Sequence, residues 1–187
     1  LAREGIETLV VERDEVNLQA SGANAGSLHV QLLSFDFGSK AQAGGGPAAA
    51  TLPLGPTSVA LWREIATDTG QDLEMKVMGG LMLAETERDV EFLKAKIAIE
   101  RAHGVEAELI GANELRRLEP GVSDVAIAAE WCPGEGKINP LLATYAVAER
   151  ARALGARFRR GSDVQSIERT GRGYRVVTSR GEIACRR

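Results

Sequence analysis

The sequence predicts an α/β chain, α+β overall, on three observations. The first is Thr8-Leu9-Val10-Val11-Glu12-Arg13, a short apolar run closed by an acid, which is the pattern of a parallel strand buried on both faces whose last residue reaches a ligand. The second is Ser21-Gly22-Ala23-Asn24-Ala25-Gly26, built of small residues, so that backbone N–H groups lie open to phosphate oxygens. The third is the return, at Asn139-Pro140, to a helix followed by short strands, after a middle stretch that mixes strands with a helix and carries no nucleotide signal. Together these predict part of a Rossmann-like dinucleotide-binding domain, residues 1–69 and 137–187, interrupted by a mixed-sheet insertion, residues 70–136.

Taken in order, Leu1-Ala2-Arg3-Glu4-Gly5 reads as a last helical turn with Gly5 as its left-handed stop. The strand ending at Glu12 follows, then the small-residue loop. Gln42-Ala43-Gly44-Gly45-Gly46-Pro47 through Ala50 has little to bury and reads as a hinge or surface loop; it follows no strand, and Pro47 removes a donor, so it is no phosphate loop. Ser58 to Thr69 is an amphipathic helix with Val59, Trp62, Ile65 and Ala66 on one face and Gly70 as its stop. Leu73 to Ala84 has strand character around a kink at Gly79-Gly80. Thr86 then caps a long helix whose Val90, Leu93 and Ile97 share a stripe ending near Gly104.

Val105 to Ile110 and Val122 to Trp131 read as strands. Asn139 caps the next helix with Pro140 at its first position; Leu141, Leu142, Tyr145, Ala146 and Ala148 form its apolar side and Gly155 ends it. Ala156 to Arg160 and Val164 to Arg169 are strands, and Tyr174 to Thr178 with Glu182 to Cys185 form a hairpin around Ser179-Arg180-Gly181.

Glycine-rich phosphate turns sit about 20 residues before a ribose-binding acid, whereas eleven residues precede Glu12. The chain is therefore expected to be an internal piece of a longer protein, inactive by itself and weak in cofactor binding. Its 187 residues, 44% apolar, suffice for a real core. The net charge of -3 and the absence of a basic face argue against nucleic acid, and the Arg157 to Arg160 cluster reads as a solvated strand edge. No apolar run is long enough to span a membrane, and no signal peptide is visible, so a cytoplasmic protein is expected. Cys132 and Cys185 lack the CxxC spacing and read as free thiols; the two histidines, His29 and His103, make no metal-ligand cluster.

The element order, with Leu9-Val10-Val11-Glu12-Arg13, Ala20-Ser21-Gly22-Ala23-Asn24-Ala25-Gly26-Ser27-Leu28, Gly79-Gly80-Leu81, Ile138-Asn139-Pro140 and the strand from Val164, resembles the D-amino-acid oxidase-like superfamily of FAD-dependent oxidoreductases, particularly its glycine, sarcosine and opine oxidase group. The resemblance implies that Glu12 binds the adenosine ribose, with Arg13 beside the adenine. Ala20 and Ser21 would approach the pyrophosphate; Ala25, Gly26 and Ser27 the flavin side; and the main chain of Val164 the adenine. Some relatives tether flavin through a histidine near this loop, but the spacing of His29 differs, and it reads as a packed or cavity-lining residue.

The resemblance further implies oxidation of the C–N bond of a small amine or amino acid, by hydride transfer to FAD and hydrolysis of the resulting imine. No catalytic residue is assigned, because the residues that grip a substrate carboxylate in this family fall beyond Arg187. Oxygen and a membrane quinone are both open as acceptors, the latter implying peripheral membrane association, and a homo- or hetero-oligomer is open as well. Two other readings stand beside this one. A nicotinamide-dependent Rossmann dehydrogenase would also end its second strand in an acid, and a non-catalytic interaction subunit would use the fold only structurally.

Overall fold

The computed structural model describes residues 1–33, 37–38 and 45–186. In chain order the strands are β1 (Leu9–Val11), β2 (Ser27–Leu28), β3 (Lys76–Val77), β4 (Gly80–Ala84), β5 (Glu108–Gly111), β6 (Ala128–Cys132), β7 (Gly136–Lys137), β8 (Arg157–Arg159), β9 (Val164–Thr170), β10 (Gly173–Thr178) and β11 (Gly181–Cys185). The helices are α1 (Gly46–Ala49), α2 (Leu54–Thr69), α3 (Glu87–Ala102), α4 (Ala112–Leu118) and α5 (Pro140–Ala153), preceded by a 3-10 turn, Ala2–Glu4. The chain forms two compact units. Unit 1 comprises Leu1–Ala25, Thr69–Leu73 and Asn139–Arg187; unit 2 comprises Gly26–Asp68 and Glu74–Ile138. Residues 26–68, expected from sequence to belong with the first segment, thus group with the insertion, and the junction falls inside the small-residue loop.

In unit 1, β1 pairs in parallel with β8, Val10 opposite Phe158. A parallel pair needs a crossover, and α5 supplies its last leg. Asn139 caps α5 by accepting a hydrogen bond from Leu141 N at 3.0 Å, Pro140 occupies the first turn, and Gly155 lies beyond its end at φ 93°. The 3-10 turn ends on Gly5 at φ 70°, the left-handed stop expected. A second sheet, in the order β11-β10-β9, is antiparallel and includes the expected hairpin across Ser179 and Arg180.

Within this chain β1 is half-buried, with β8 alone as its neighbour among the described residues and Val10 exposed. The buried side of α5 is made of Ala143, Ala146 and Ala148, while Leu141, Leu142 and Tyr145 are exposed.

In unit 2, β4-β6-β5 form an antiparallel sheet, with Leu83 opposite Ala129 and Ile110 opposite the same residue on the other side. α3 covers this sheet. Thr86 Oγ1 accepts from Asp89 N, and Asp89 Oδ2 accepts from Thr86 N at 2.9 Å, closing a reciprocal cap worth about 1 kcal/mol. The stripe of Val90, Leu93 and Ile97 is buried as its spacing requires, each side chain contributing about 1.5–3 kcal/mol of apolar burial. The kink at Gly79 separates β3, which belongs to a small sheet of order β2-β7-β3, from β4. Gly79 has φ 87°, and a Cβ there would stand 1.8 Å from Trp131 Cη2, so the turn and the tryptophan exclude any side chain.

The remaining differences are local. β5 and β6 are shorter than expected, and an additional helix, α4, lies between them; its Leu115 is fully buried and pins it to the sheet. α2 begins four residues before the expected Ser58, at Leu54, because Pro56 in the first turn costs no helical hydrogen bond. Of the passage read as a loop from Gln42 to Ala50, residues 42–44 lie outside the described residues. Gly46–Ala49 form α1, with Pro47 in the first turn and alanines favouring the helix.

Candidate functional site

Glu12 stands one residue beyond β1, at the carboxyl end of a parallel strand, where open α/β sheets present ligands. Its backbone is pinned on both sides: Glu12 N donates to Arg159 O at 2.9 Å, and Glu12 O accepts from Ser162 N at 2.8 Å. Its carboxylate is pinned too. Oε1 accepts from Asp14 N at 2.9 Å, and Oε2 has no partner among the described residues. One oxygen thus holds the side chain still while the other remains an open, charged acceptor. Arg13 is exposed and reaches Asp14 Oδ2 at 3.4 Å.

The hydrogen bond from Ser162 also brings β9 to this strand end. Ser162 is buried and its Oγ bonds to Thr178 Oγ1 at 3.0 Å, so the chain is fixed on both sides two residues before Val164. Val164 opens β9, opposite Thr178, and is 41% exposed. Glu12 and this distant, ordinary valine, expected from the resemblance to share one ligand, both lie in unit 1, joined through Ser162.

The small-residue loop is a built turn. Gly22 N and Ala23 N both donate to Gln19 O at 3.0 Å, and Asn24 Nδ2 donates to Ala20 O and Ser21 O at 3.1 and 2.7 Å. A Cβ on Gly22 would lie 2.2 Å from Asn17 O, so the turn closes only around glycine. Asn17, itself at φ 72°, donates through Nδ2 to Leu141 O at 3.1 Å in α5. These bonds consume carbonyls and leave the backbone N–H groups of Ala20, Ser21 and Ala25, all exposed, with no acceptor among the described residues. Such spare donors on small residues suit a polyanionic ligand such as pyrophosphate. In unit 2, Gly26 takes φ 68° and its carbonyl accepts from Ile138 N at 2.8 Å, while Ser27 opens β2 opposite Lys137.

A profile of the family described as FAD dependent oxidoreductase matches residues 1–187. The chain belongs to that family. FAD is therefore the cofactor of its kind, which decides between the flavin and nicotinamide readings. The chain is 28% identical over 196 residues to an opine oxidase subunit of Rhizobium meliloti, covering 98% of this chain and 51% of that protein. It is 37% identical over 121 residues to a D-amino acid dehydrogenase of Chromohalobacter salexigens, covering 62% and 29%. Among solved structures, glycine oxidase from Geobacillus kaustophilus superposes on all of the chain and 48% of its own, with TM-score 0.80 and 24% identity. L-proline dehydrogenase from P. horikoshii does so over 97% and 45%, with TM-score 0.72 and 26% identity. The chain spans about half the length of the opine oxidase subunit and of these two structures, and less of the D-amino acid dehydrogenase.

The other side chains weighed from the sequence fall as follows. Arg157 and Arg160 are exposed and paired with Glu7 and Glu15. Cys132 and Cys185 are free thiols; burial, followed by the Glu135 charge, pushes the Cys132 thiol up to about 12, which keeps it protonated and unreactive. No group of residues among those described has the make-up of a metal site. His29 lines a cavity of about 400 Å³ in unit 2 with Val30, Leu32, Leu52 and Ser58, and its Nδ1 lies 3.6 Å from Glu135 Oε1.

Sequence reasoning missed the polar groups behind that cavity wall. Glu135 Oε1 accepts from Val30 N and Gln31 N at 2.8 and 3.0 Å, and Glu100 Oε1 accepts from Leu32 N at 2.7 Å. Lys96, Glu100 and Glu130 are all 0% exposed. A signal existed. Lys96 and Glu100 fall on the same helical stripe as Leu93 and Ile97, and Glu130 interrupts the apolar run Ala128-Ala129-Glu130-Trp131-Cys132.

Proposed function

We propose that this chain is part of a flavoenzyme that oxidises the C–N bond of a small amine or amino acid. The observation that carries the cofactor half is the Glu12 carboxylate, fixed through Oε1 at the end of a parallel strand with Oε2 open, beside the anchored start of β9. In this reading Glu12 Oε2 accepts from the ribose hydroxyls, Arg13 flanks the adenine and the main chain of Val164 recognises it. Ala20 and Ser21 donate N–H groups to the pyrophosphate, and the backbone of Ala25, Gly26 and Ser27 meets the flavin side. When bound, FAD supplies the hydride acceptor. The residues of this chain bind and orient it.

The substrate class rests on the relatives, whose names are those of an opine oxidase and a D-amino acid dehydrogenase. In this reading residues 1–69 and 137–187 serve the cofactor and residues 70–136 the substrate, with residues 26–68 packed in the same unit as the latter. A hetero-oligomer fits a relative named as one subunit of its oxidase. No helix among the described residues is long and apolar enough to cross a membrane, and the reading keeps the protein in the cytoplasm, with peripheral membrane association if a quinone is the acceptor.

The test is anaerobic reduction of the full-length protein's flavin, followed by stopped-flow absorbance, with glycine, sarcosine, a D-amino acid and an opine. Bleaching by at least one amine is expected. Bleaching by a hydroxy acid or NADPH and by none of the amines would overturn the substrate class and leave the FAD site standing.

A further inference from the structure

Lys96 and Glu100 on α3, Glu130 on β6 and Gln31 in the extended segment after β2 meet in the interior of unit 2, each at most 8% exposed. The Lys96 ammonium has three hydrogens and three acceptors: Glu100 Oε1 at 2.7 Å, Glu130 Oε2 at 2.7 Å and Gln31 Oε1 at 3.2 Å. That leaves Glu100 Oε2 and Glu130 Oε1 buried with no hydrogen-bond partner among the described residues. Two carboxylates against one ammonium would place a net negative charge at side chains with no exposure to bulk solvent, and an uncompensated buried charge is strongly destabilising. One proton resolves both problems, because it neutralises the cluster and converts one orphan oxygen into a donor to the other.

We propose that Lys96, Glu100 and Glu130 form an electrically neutral triad with one proton held by Glu130 Oε1 and donated to Glu100 Oε2, and that the triad positions the Leu32 backbone in the wall of the cavity that His29 lines. The proton belongs to Glu130 because Glu100 Oε1 already accepts two N–H donors, Lys96 Nζ and Leu32 N, whereas among the described residues Glu130 accepts from Lys96 alone. Burial, reinforced by the hydrogen bond to Glu100, raises the Glu130 carboxyl to about 8.

Among the described residues, no other charge faces Glu130 from its own sheet. The residues opposite it are Met82 on β4 and Leu109 on β5. Cys132 on β6 is a neutral thiol. Glu135 is turned to Val30 N and Gln31 N and stands beside His29. The backbone N–H groups of Val30, Gln31 and Leu32 thus all depend on carboxylates, and the last depends on the triad. Loss of the proton sets Glu130 against Glu100, and the strain falls on the Leu32 anchor. The triad shares no residue with the flavin contacts proposed above, so its failure would leave the flavin reading standing.

The experiment uses the full-length protein without added ligand. Infrared spectra of wild type near neutral pH should contain a C=O band of a protonated carboxylic acid that is absent in both Glu130→Gln and Glu100→Gln. Each amide supplies the neutral partner without a proton, so either variant suffices if the other does not fold. Hydrogen exchange at Leu32, corrected for the intrinsic rate, should lose at least tenfold in protection between pH 7 and pH 9.5 in wild type and stay constant in Glu130→Gln. A wild type without the band, a band that survives either variant, or the same alkaline loss of protection in Glu130→Gln would overturn the proposal.

Discussion

Replacing Glu12 by Gln should weaken FAD binding of the full-length protein roughly 10- to 100-fold and leave the fold intact. Glu12 Oε1 is engaged by Asp14 N at 2.9 Å and Oε2 has no protein partner among the described residues. Glutamine keeps a carbonyl oxygen for Asp14 and exchanges the open oxygen for an amide nitrogen, which donates and cannot accept from a ribose hydroxyl. The loss is a hydrogen bond to a charged acceptor, about 1.5–3 kcal/mol. At about 1.4 kcal/mol per tenfold, that gives the stated range.

Glu12→Ala should match this affinity loss and also cost stability, about 0.5–1.5 kcal/mol for the Asp14 bond. The two variants separate ligand from scaffold. Quenching of flavin fluorescence on titration into apoprotein measures the first quantity, and urea unfolding without flavin measures the second. Unchanged FAD affinity in Glu12→Gln would refute the ribose assignment, since nothing else in the described structure gives the open oxygen a task.

Three further outcomes are expected. Gly26→Leu should reduce the flavin content of the purified full-length protein far more than Asn24→Ala, because Gly26 holds φ 68° whereas Asn24 acts through a side chain that only braces the turn; equal content would mean that the loop does not touch flavin. Gly79→Ala should destabilise the fold by roughly 2–4 kcal/mol, from a positive φ and a Cβ driven into Trp131, with thermal unfolding as the readout. Glu130 binds its proton more tightly folded, at about 8, than at its ordinary 4.5, so between these values the folded state keeps a proton that the unfolded chain has lost. The group's stabilisation is complete at the acid end of that window and is lost as pH rises through it, by about 1.4 kcal/mol per pH unit; urea midpoints compared at several pH values should show this slope in wild type and its absence in Glu130→Gln.

By itself the sequence determined those features whose physics is local. A left-handed stop at Gly5, the Thr86 and Asn139 caps, the helical stripe of Val90, Leu93 and Ile97, the kink at Gly79 and the hairpin across Ser179 and Arg180 each depend on a few neighbouring residues, and each stands where its residues put it. The acid closing an apolar strand and the small-residue loop after it were legible for the same reason, because their chemistry is written in consecutive positions.

What joins distant segments was decided by tertiary structure alone. The parallel pairing of β1 with β8 and the Ser162 bond brought Val164 to Glu12 across some 150 residues, a distance that only the family resemblance had bridged. Which of α5's apolar residues are buried within this chain, Ala143, Ala146 and Ala148 and not Leu141 or Tyr145, is likewise not contained in periodicity. Lys96 and Glu100 lie one helical turn apart on the stripe of Leu93 and Ile97, and the sequence stops there. They become part of an interior triad only because β6 places Glu130, and the segment after β2 places Gln31 and Leu32, against the same face of α3: the partners of a buried charge belong to the assembled fold, and burial turns these charges into groups that must share a proton.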